Sequence, residues 1–340
     1  MLTRIVERVS PHAAYNLEAA VNYLEVGRWM RANRYDVTHR VGRREQLSER
    51  GLQRATAMGN RSGRCGLASR MSTGGLSGRR LLGTMPSRLL AIVQGRLRMA
   101  AVRFLFRRPL VLNAGFPIIS FTFDDFPRSA LLEGGRILDR FDVLGTYYLS
   151  LRLMGKQGPS GTMFILEDLK TVLEQGHELG CHTFGHCHSW TTSPADFENS
   201  IIENRQALSK LVPEASLRTL SYPRSRPRPA TKRRAARHFL CCRGGGRGQT
   251  FNAGTADLNA LSTFFLERSR DNPEAVKDLI DRNRCERGWL IFATHDISEC
   301  PSPYGCKPDF FEQVVQWAVE SGARILPVAM ACEELMKSRH

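Results

Sequence analysis

Lysine is missing from the first 110 residues, where 21 arginines face only 6 acidic residues and account for +15 of the chain's net charge of +16. The remainder is close to neutral, so the charge lies outside the part that can build a core. No apolar run is long enough to cross a bilayer, because Ile92–Phe106 is interrupted by Arg96, Arg98 and Arg103; it reads as a packed linker helix. The opening Met-Leu-Thr-Arg-Ile-Val-Glu-Arg has no apolar core, so a secretory leader is not expected and cytoplasmic residence is the default. Nor do the 9 cysteines form any C-x-x-C pair. An odd, unpaired set argues against a disulfide framework or a closed cysteine zinc knuckle and for reduced, packed thiols.

Within the basic stretch, residues 14 to 33 are expected to form an amphipathic helix with Leu17, Val21 and Leu24 on one face. From 35 to 80 there is little periodicity and much Arg, Gly and Ser, as in a flexible segment. Its charge admits nucleic acid or an anionic membrane as partner. Stacking aromatics are scarce, however, and arginine without lysine resembles compositional bias. Residues 1–110 are therefore read as an extension with no obligate protein partner, for which Met85 or Met99 is an alternative beginning.

The most informative feature is Asp124-Asp125, at the end of the apolar run Ile118-Ile-Ser-Phe-Thr-Phe. Neighbouring strand residues point to opposite faces, so both carboxylates can enter one pocket only if the chain turns there, and Pro127 suits such an exit. A pair at a strand end can divide labour, one carboxylate binding a cation and the other working as a base. A capping Asp beside a solvated one would look the same. Downstream, His177-Glu-Leu-Gly-Cys-His182-Thr-Phe-Gly-His186-Cys-His188 spaces His182 and His186 for one face of a helical turn. Asp125, His182 and His186 together would make a three-ligand site with an open position, suited to zinc or, among other divalent ions, cobalt. A third run, Gly288-Trp-Leu-Ile-Phe-Ala-Thr-His295-Asp296, reads as a buried strand delivering a titratable His to its C-terminal end.

In order and spacing these elements resemble the polysaccharide deacetylase family, carbohydrate esterase family 4, or NodB-homology domain, over roughly Phe116 to Val328. The resemblance implies a distorted, incomplete (β/α) barrel in a catalytic domain spanning 111–335. By it, Asp124 is the catalytic base, Asp125, His182 and His186 hold the metal, and His295 is the general acid. Tyr222, Pro223 and Arg224 would wall the substrate groove. Asp257 is a candidate partner carboxylate for His295, and the arginine that commonly orients the base has no certain counterpart, since Arg224 sits one place beyond the Tyr-Pro. Phe126 stands where the family usually has Gly, which would narrow the room beside the metal. The expected oxyanion donors are backbone N–H groups near Phe126 or Tyr222.

The implied activity is metal-dependent removal of N-acetyl groups from an oligosaccharide or polysaccharide containing N-acetylglucosamine, a nodulation-type chitooligosaccharide deacetylase being the narrower version. The alternatives are an inactive barrel with a nucleic-acid-binding extension, and a metal-dependent O-acetyl esterase or other amidase. Independently of the resemblance, apolar runs at Pro117–Phe123, Val143–Leu149, Leu217–Tyr222, Leu290–Thr294 and Arg324–Val328 alternate with helical segments. The helices are expected at Leu131–Phe141, Met163–Gln175, Pro194–Leu211, Pro273–Arg287 and Asp309–Ser321, a pattern that predicts an α/β fold with a parallel sheet. The Pro/Gly-rich loop from Ser298 to Cys306 would edge the groove, with Tyr304 able to stack on a sugar ring.

Overall fold

The computed structural model describes residues 102–112, 114–225, 227–244 and 250–337, so the expected helix at 14–33, the flexible stretch 35–80 and most of the linker helix lie outside the described residues. The strands, in chain order, are β1 Pro109–Val111, β2 Ile118–Phe123, β3 Gly145–Leu149, β4 Gln157–Gly158, β5 Gly161–Thr162, β6 Glu178–Cys181, β7 Thr219–Ser221, β8 Cys241–Arg243, β9 Thr255–Asp257, β10 Phe264–Phe265, β11 Trp289–Thr294 and β12 Arg324–Ile325. The helices are α1 Arg136–Arg140, entered through a widened turn at Ala130–Gly135, then α2 Leu166–Glu174, α3 Pro194–Leu211, α4 Pro229–Ala235, α5 Glu274–Glu286, α6 Pro308–Glu320 and α7 Val328–Lys337.

Eight strands form one parallel sheet in the order β10, β11, β2, β3, β6, β7, β8, with β12 added beside the start of β2. The sheet curls into an incomplete barrel. Its gap is bridged by the segment leading into β10: Leu261 N–H donates to Cys242 O at 2.9 Å, and Phe264–Phe265 pairs with β11.

Strand parity explains what faces where. In β2, Ile119, Phe121 and Phe123 join the larger apolar cluster with Phe311 of α6, while Ile118 joins a second cluster containing Trp289, Ile291 and Cys241. The alternate residues thus fill the barrel interior, where Trp289 Nε1 donates to Ser120 Oγ at 3.0 Å. Strands sandwiched in this way are buried on both faces and read as continuous apolar runs, which is why β2 and β11 were easily found. Gly180 follows the same rule, since a Cβ there would fall 2.4 Å from the Tyr148 ring that occupies the interior.

Helix starts obey local chemistry. Ser193 Oγ accepts from Asp196 N at 3.1 Å and Pro194 takes the first position of α3, where a missing N–H costs nothing. α7 begins where β12 was expected to continue: Val328 N–H donates to Thr146 Oγ1 and Ala329 N–H to Glu178 Oε2, so interior polar groups end the strand and cap the helix.

Residues 102–110, which charge alone assigns to the extension, are bound into the folded domain. The buried Lys232 ammonium donates to Val102 O (2.8 Å), Leu105 O (2.9 Å) and Asp257 Oδ2 (2.5 Å). Leu110 is buried in the second cluster and β1 pairs with β9. The folded unit therefore starts before residue 111.

Candidate active site

Interior parity delivers most of the site. The inward-facing sets of β2, β6, β7, β8 and β11 end in Asp124, His182, Ser221, Arg243 and His295 at the C-terminal ends of their strands. Asp125 would point away but for two successive left-handed residues, Asp125 (φ 61°) and Phe126 (φ 52°), which turn the chain so that both carboxylates enter one pocket. The His182/His186 spacing works through a turn with Thr183 and His186 at positive φ, and not through the helix expected from it.

His182 Nε2 lies 3.4 Å and His186 Nε2 3.3 Å from Asp125 Oδ1. Four-coordinate ligands at about 2.0–2.1 Å from one ion sit about 3.3–3.4 Å apart, so these separations match a shared metal. The protonation pattern agrees. His182 Nδ1 is 2.8 Å from the carbonyl oxygen of Ser221, which only accepts, so Nδ1 carries the hydrogen and Nε2 offers its lone pair. Burial pushes the His182 imidazolium down to about 4, leaving the ring neutral. Asp125 Oδ1 is buried with no hydrogen-bond donor, as a ligand atom awaiting a cation would be. The set therefore fits a divalent ion, and all three ligand atoms lie within 4.8 Å of one another. Cys181 does not compete: its thiol is pushed up to about 11 by burial and accepts from Asn204 in the core.

Asp124 is 2 % exposed and accepts a charged hydrogen bond from Arg243 Nη2. Burial alone would raise its carboxyl, but Arg243 first, then His182 and His295, bring it down to about 2, so it is ionised. The Arg243 guanidinium also lies 4.4 Å from the centroid of the Tyr148 ring. Arg243 thus meets Asp124, for which the sequence offered no arginine partner. It comes from β8, not from the Tyr222-Pro223-Arg224 motif. A strand ending in Arg just before a glycine run was the available signal.

That motif is placed differently from expectation. Tyr222 is fully buried, its hydroxyl donating to Asn259 O at 3.1 Å, and its backbone N–H donates to Arg243 O, so neither ring nor N–H faces the groove. Pro223 is buried, while Arg224 is exposed at φ 58°. Phe126 leaves the room beside Asp125, His182 and His186 clear: its ring is buried and stacks on Phe164 at 5.1 Å. Phe126→Gly should relieve about 1–2 kcal/mol of left-handed strain but lose about 3–5 kcal/mol of core packing. A net loss of roughly 2 kcal/mol is expected from chemical denaturation; a neutral or stabilised variant would contradict the packing role.

His295 reaches the layer with its ring 5.5 Å from Tyr304 and 6.4 Å from Phe265, and its Nδ1 is buried without a donor or acceptor. Asp257 is not its partner, being held by Lys232 Nζ, Arg108 N and Asn259 N. Besides Asp124, His295 acts on Glu267, whose carboxyl is pushed up to about 7 by burial against the pull of His295 and Arg268. An acid raised in the folded state keeps its proton after the unfolded chain has lost it, so it makes stability fall as pH rises from about 4.5 to about 7. Glu267→Gln should flatten that decline. Identical melting-temperature profiles for the two proteins across this window would remove Glu267 from the account.

The loop after His295 is clamped. Asp296 accepts from Ser302 N at 2.7 Å and from Ser302 Oγ, and Arg270 Nη2 donates to Ser302 O at 2.6 Å. This holds Tyr304, 48 % exposed, at the rim beside His295.

Residues 113–239 match the family model described as polysaccharide deacetylase. That stretch carries Asp124, Asp125, His182 and His186; Arg243, Glu267 and His295 lie beyond it. No curated protein sequence matches the chain. Among solved structures, a CE4 family pseudoenzyme from Bacillus anthracis is 13% identical at a TM-score of 0.46, covering 65% of this chain and 67% of that one. The chitin deacetylase of the fungal pathogen Colletotrichum lindemuthianum is 16% identical at 0.44, covering 66% and 89%. A family 4 acetyl xylan esterase from Clostridium thermocellum, in complex with cobalt, is 18% identical at 0.44, covering 65% and 91%. Among the described residues no helix is long and apolar enough to cross a membrane.

Proposed function

From the match of residues 113–239 to the polysaccharide deacetylase family model, we propose that the chain is a metal-dependent hydrolase that removes N-acetyl groups from a saccharide containing N-acetylglucosamine. The observation that carries this reading is the buried, donor-free Asp125 Oδ1 facing two imidazole lone pairs, with Asp124 and His295 ending the same interior layer.

Asp125, His182 and His186 would hold the ion, zinc or cobalt by their donor types. When bound, it would supply Lewis acidity toward the acyl oxygen and acidify water. The rest falls to the protein's own groups. Arg243 fixes Asp124 as an ionised acceptor, which takes the proton of the attacking water as its oxygen bonds to the acyl carbon. His295, protonated, gives a proton to the departing nitrogen, since a sugar amide anion would leave very poorly. The C–N bond then breaks, releasing acetate and an amino sugar.

The test is acetate release from chitooligosaccharides of graded length by metal-stripped protein resupplied with zinc or cobalt, with acetylated xylan alongside. Release from the amides that depends on added metal is expected. Release from xylan alone would move the reaction to an ester, and no release despite stoichiometric metal would reject catalysis.

A further inference from the structure

At the opposite ends of β7 and β8 from the active site, a cleft of about 720 Å³ opens between α3, the segments leading into those strands, Arg108 and the end of α7. That size is in the range of small-molecule sites. Its charge is unusual: Arg108, Arg205, Arg218, Arg237 and His238 line it, and no carboxylate does. Two of these side chains are paired nearby with a carboxylate, Arg218 with Glu333 and His238 with Glu198. The others are not. Arg205 donates to the carbonyls of Leu217 and His238 while stacking 4.7 Å over Phe239. Arg108 donates to the carbonyls of Phe239 and Leu240, and its Nε is buried with no acceptor at all. Neutral carbonyls orient a guanidinium without cancelling its charge, and Arg237 is exposed with no ion pair among the described residues. Three guanidinium groups without a carboxylate partner among the described residues therefore line one cleft, whose wall also includes the apolar Leu240 and Met336.

We propose that this cleft binds a ligand bearing a di- or triphosphate group. Arginine forks match paired phosphate oxygens better than a point charge does, and several charges in one recess favour an oligophosphate over a monoanion. The apolar part of the wall leaves room for an organic moiety beside it. The site is separate from the catalytic layer and does not depend on the deacetylase reading.

The probes are inorganic pyrophosphate and a nucleoside 5′-diphosphate, titrated calorimetrically into the full chain carrying His182→Ala and His186→Ala, so that no active-site metal can capture phosphate. Saturable binding that weakens with salt is expected, and tighter binding of the nucleotide would mean that the apolar part of the wall is used. Ser216→Glu and Arg237→Glu, both at exposed positions of the cleft, should each weaken binding at least tenfold while leaving the melting temperature near that of the parent. Absence of binding, binding unchanged in both variants, or binding seen only when the metal ligands are intact would each overturn the proposal.

Discussion

His182→Ala should lose bound metal and hydrolysis together, whereas Asp124→Asn should keep stoichiometric metal and lose only turnover. The separation follows from where the two side chains sit. His182 presents Nε2 to the centre because Nδ1–H is committed to Ser221 O, so its removal deletes a ligand that no neighbour replaces among the described residues. Asp124 belongs to no ligand set; it faces Arg243 and would take a proton. Loss of a general base lowers rates by about 10²–10⁴-fold. Metal content by elemental analysis and acetate release on the same preparations would check both. Stoichiometric metal in the His182 variant, or undiminished turnover in the Asp124 variant, would break the corresponding assignment.

Replacing Arg243 with Met should cost both stability and activity. The ion pair with Asp124 is fully inside the protein, with side-chain exposures of 0% and 3%. Removing one partner from such a pair costs about 3–5 kcal/mol, because the other charge remains desolvated and unpaired. The Tyr148 ring, 4.4 Å from the guanidinium, would also lose its cation. Turnover should fall with the orientation of Asp124, while metal binding persists because Asp125, His182 and His186 are untouched. Arg243→Lys restores the charge but neither the planar fork nor the stacking, so it should recover stability more than turnover. If the Met variant unfolded at the same denaturant concentration as the parent, Arg243 would have no part in holding Asp124.

Much of this architecture was legible because it is local. Ile118–Phe123 and Trp289–Thr294 announce themselves as two-sided strands, and α3 falls on the bounds that Ser193 and Pro194 dictate. The Asp-Asp and His-x-x-x-His clusters are short-range and could be read directly. What escaped was set by distance along the chain or by backbone turns. Arg243 lies 119 residues from Asp124, and nothing near it in sequence says what it meets. Tyr222 was read as a groove wall, yet interior parity assigns Ser221 to the inside and turns Tyr222 into the core. β6 was hidden inside the histidine cluster, and Asp257 gave no sign that a lysine 25 residues away would claim it.

That lysine bears on how the chain could be dissected. A fragment beginning at residue 111, where the charge imbalance ends, would strip Lys232 of Val102 O and Leu105 O and leave a sealed-in ammonium with Asp257 alone. Each buried polar group left unmet costs about 1–3 kcal/mol, enough to make such a fragment fail for reasons unrelated to catalysis. The smallest piece expected to behave like the parent must keep residue 102.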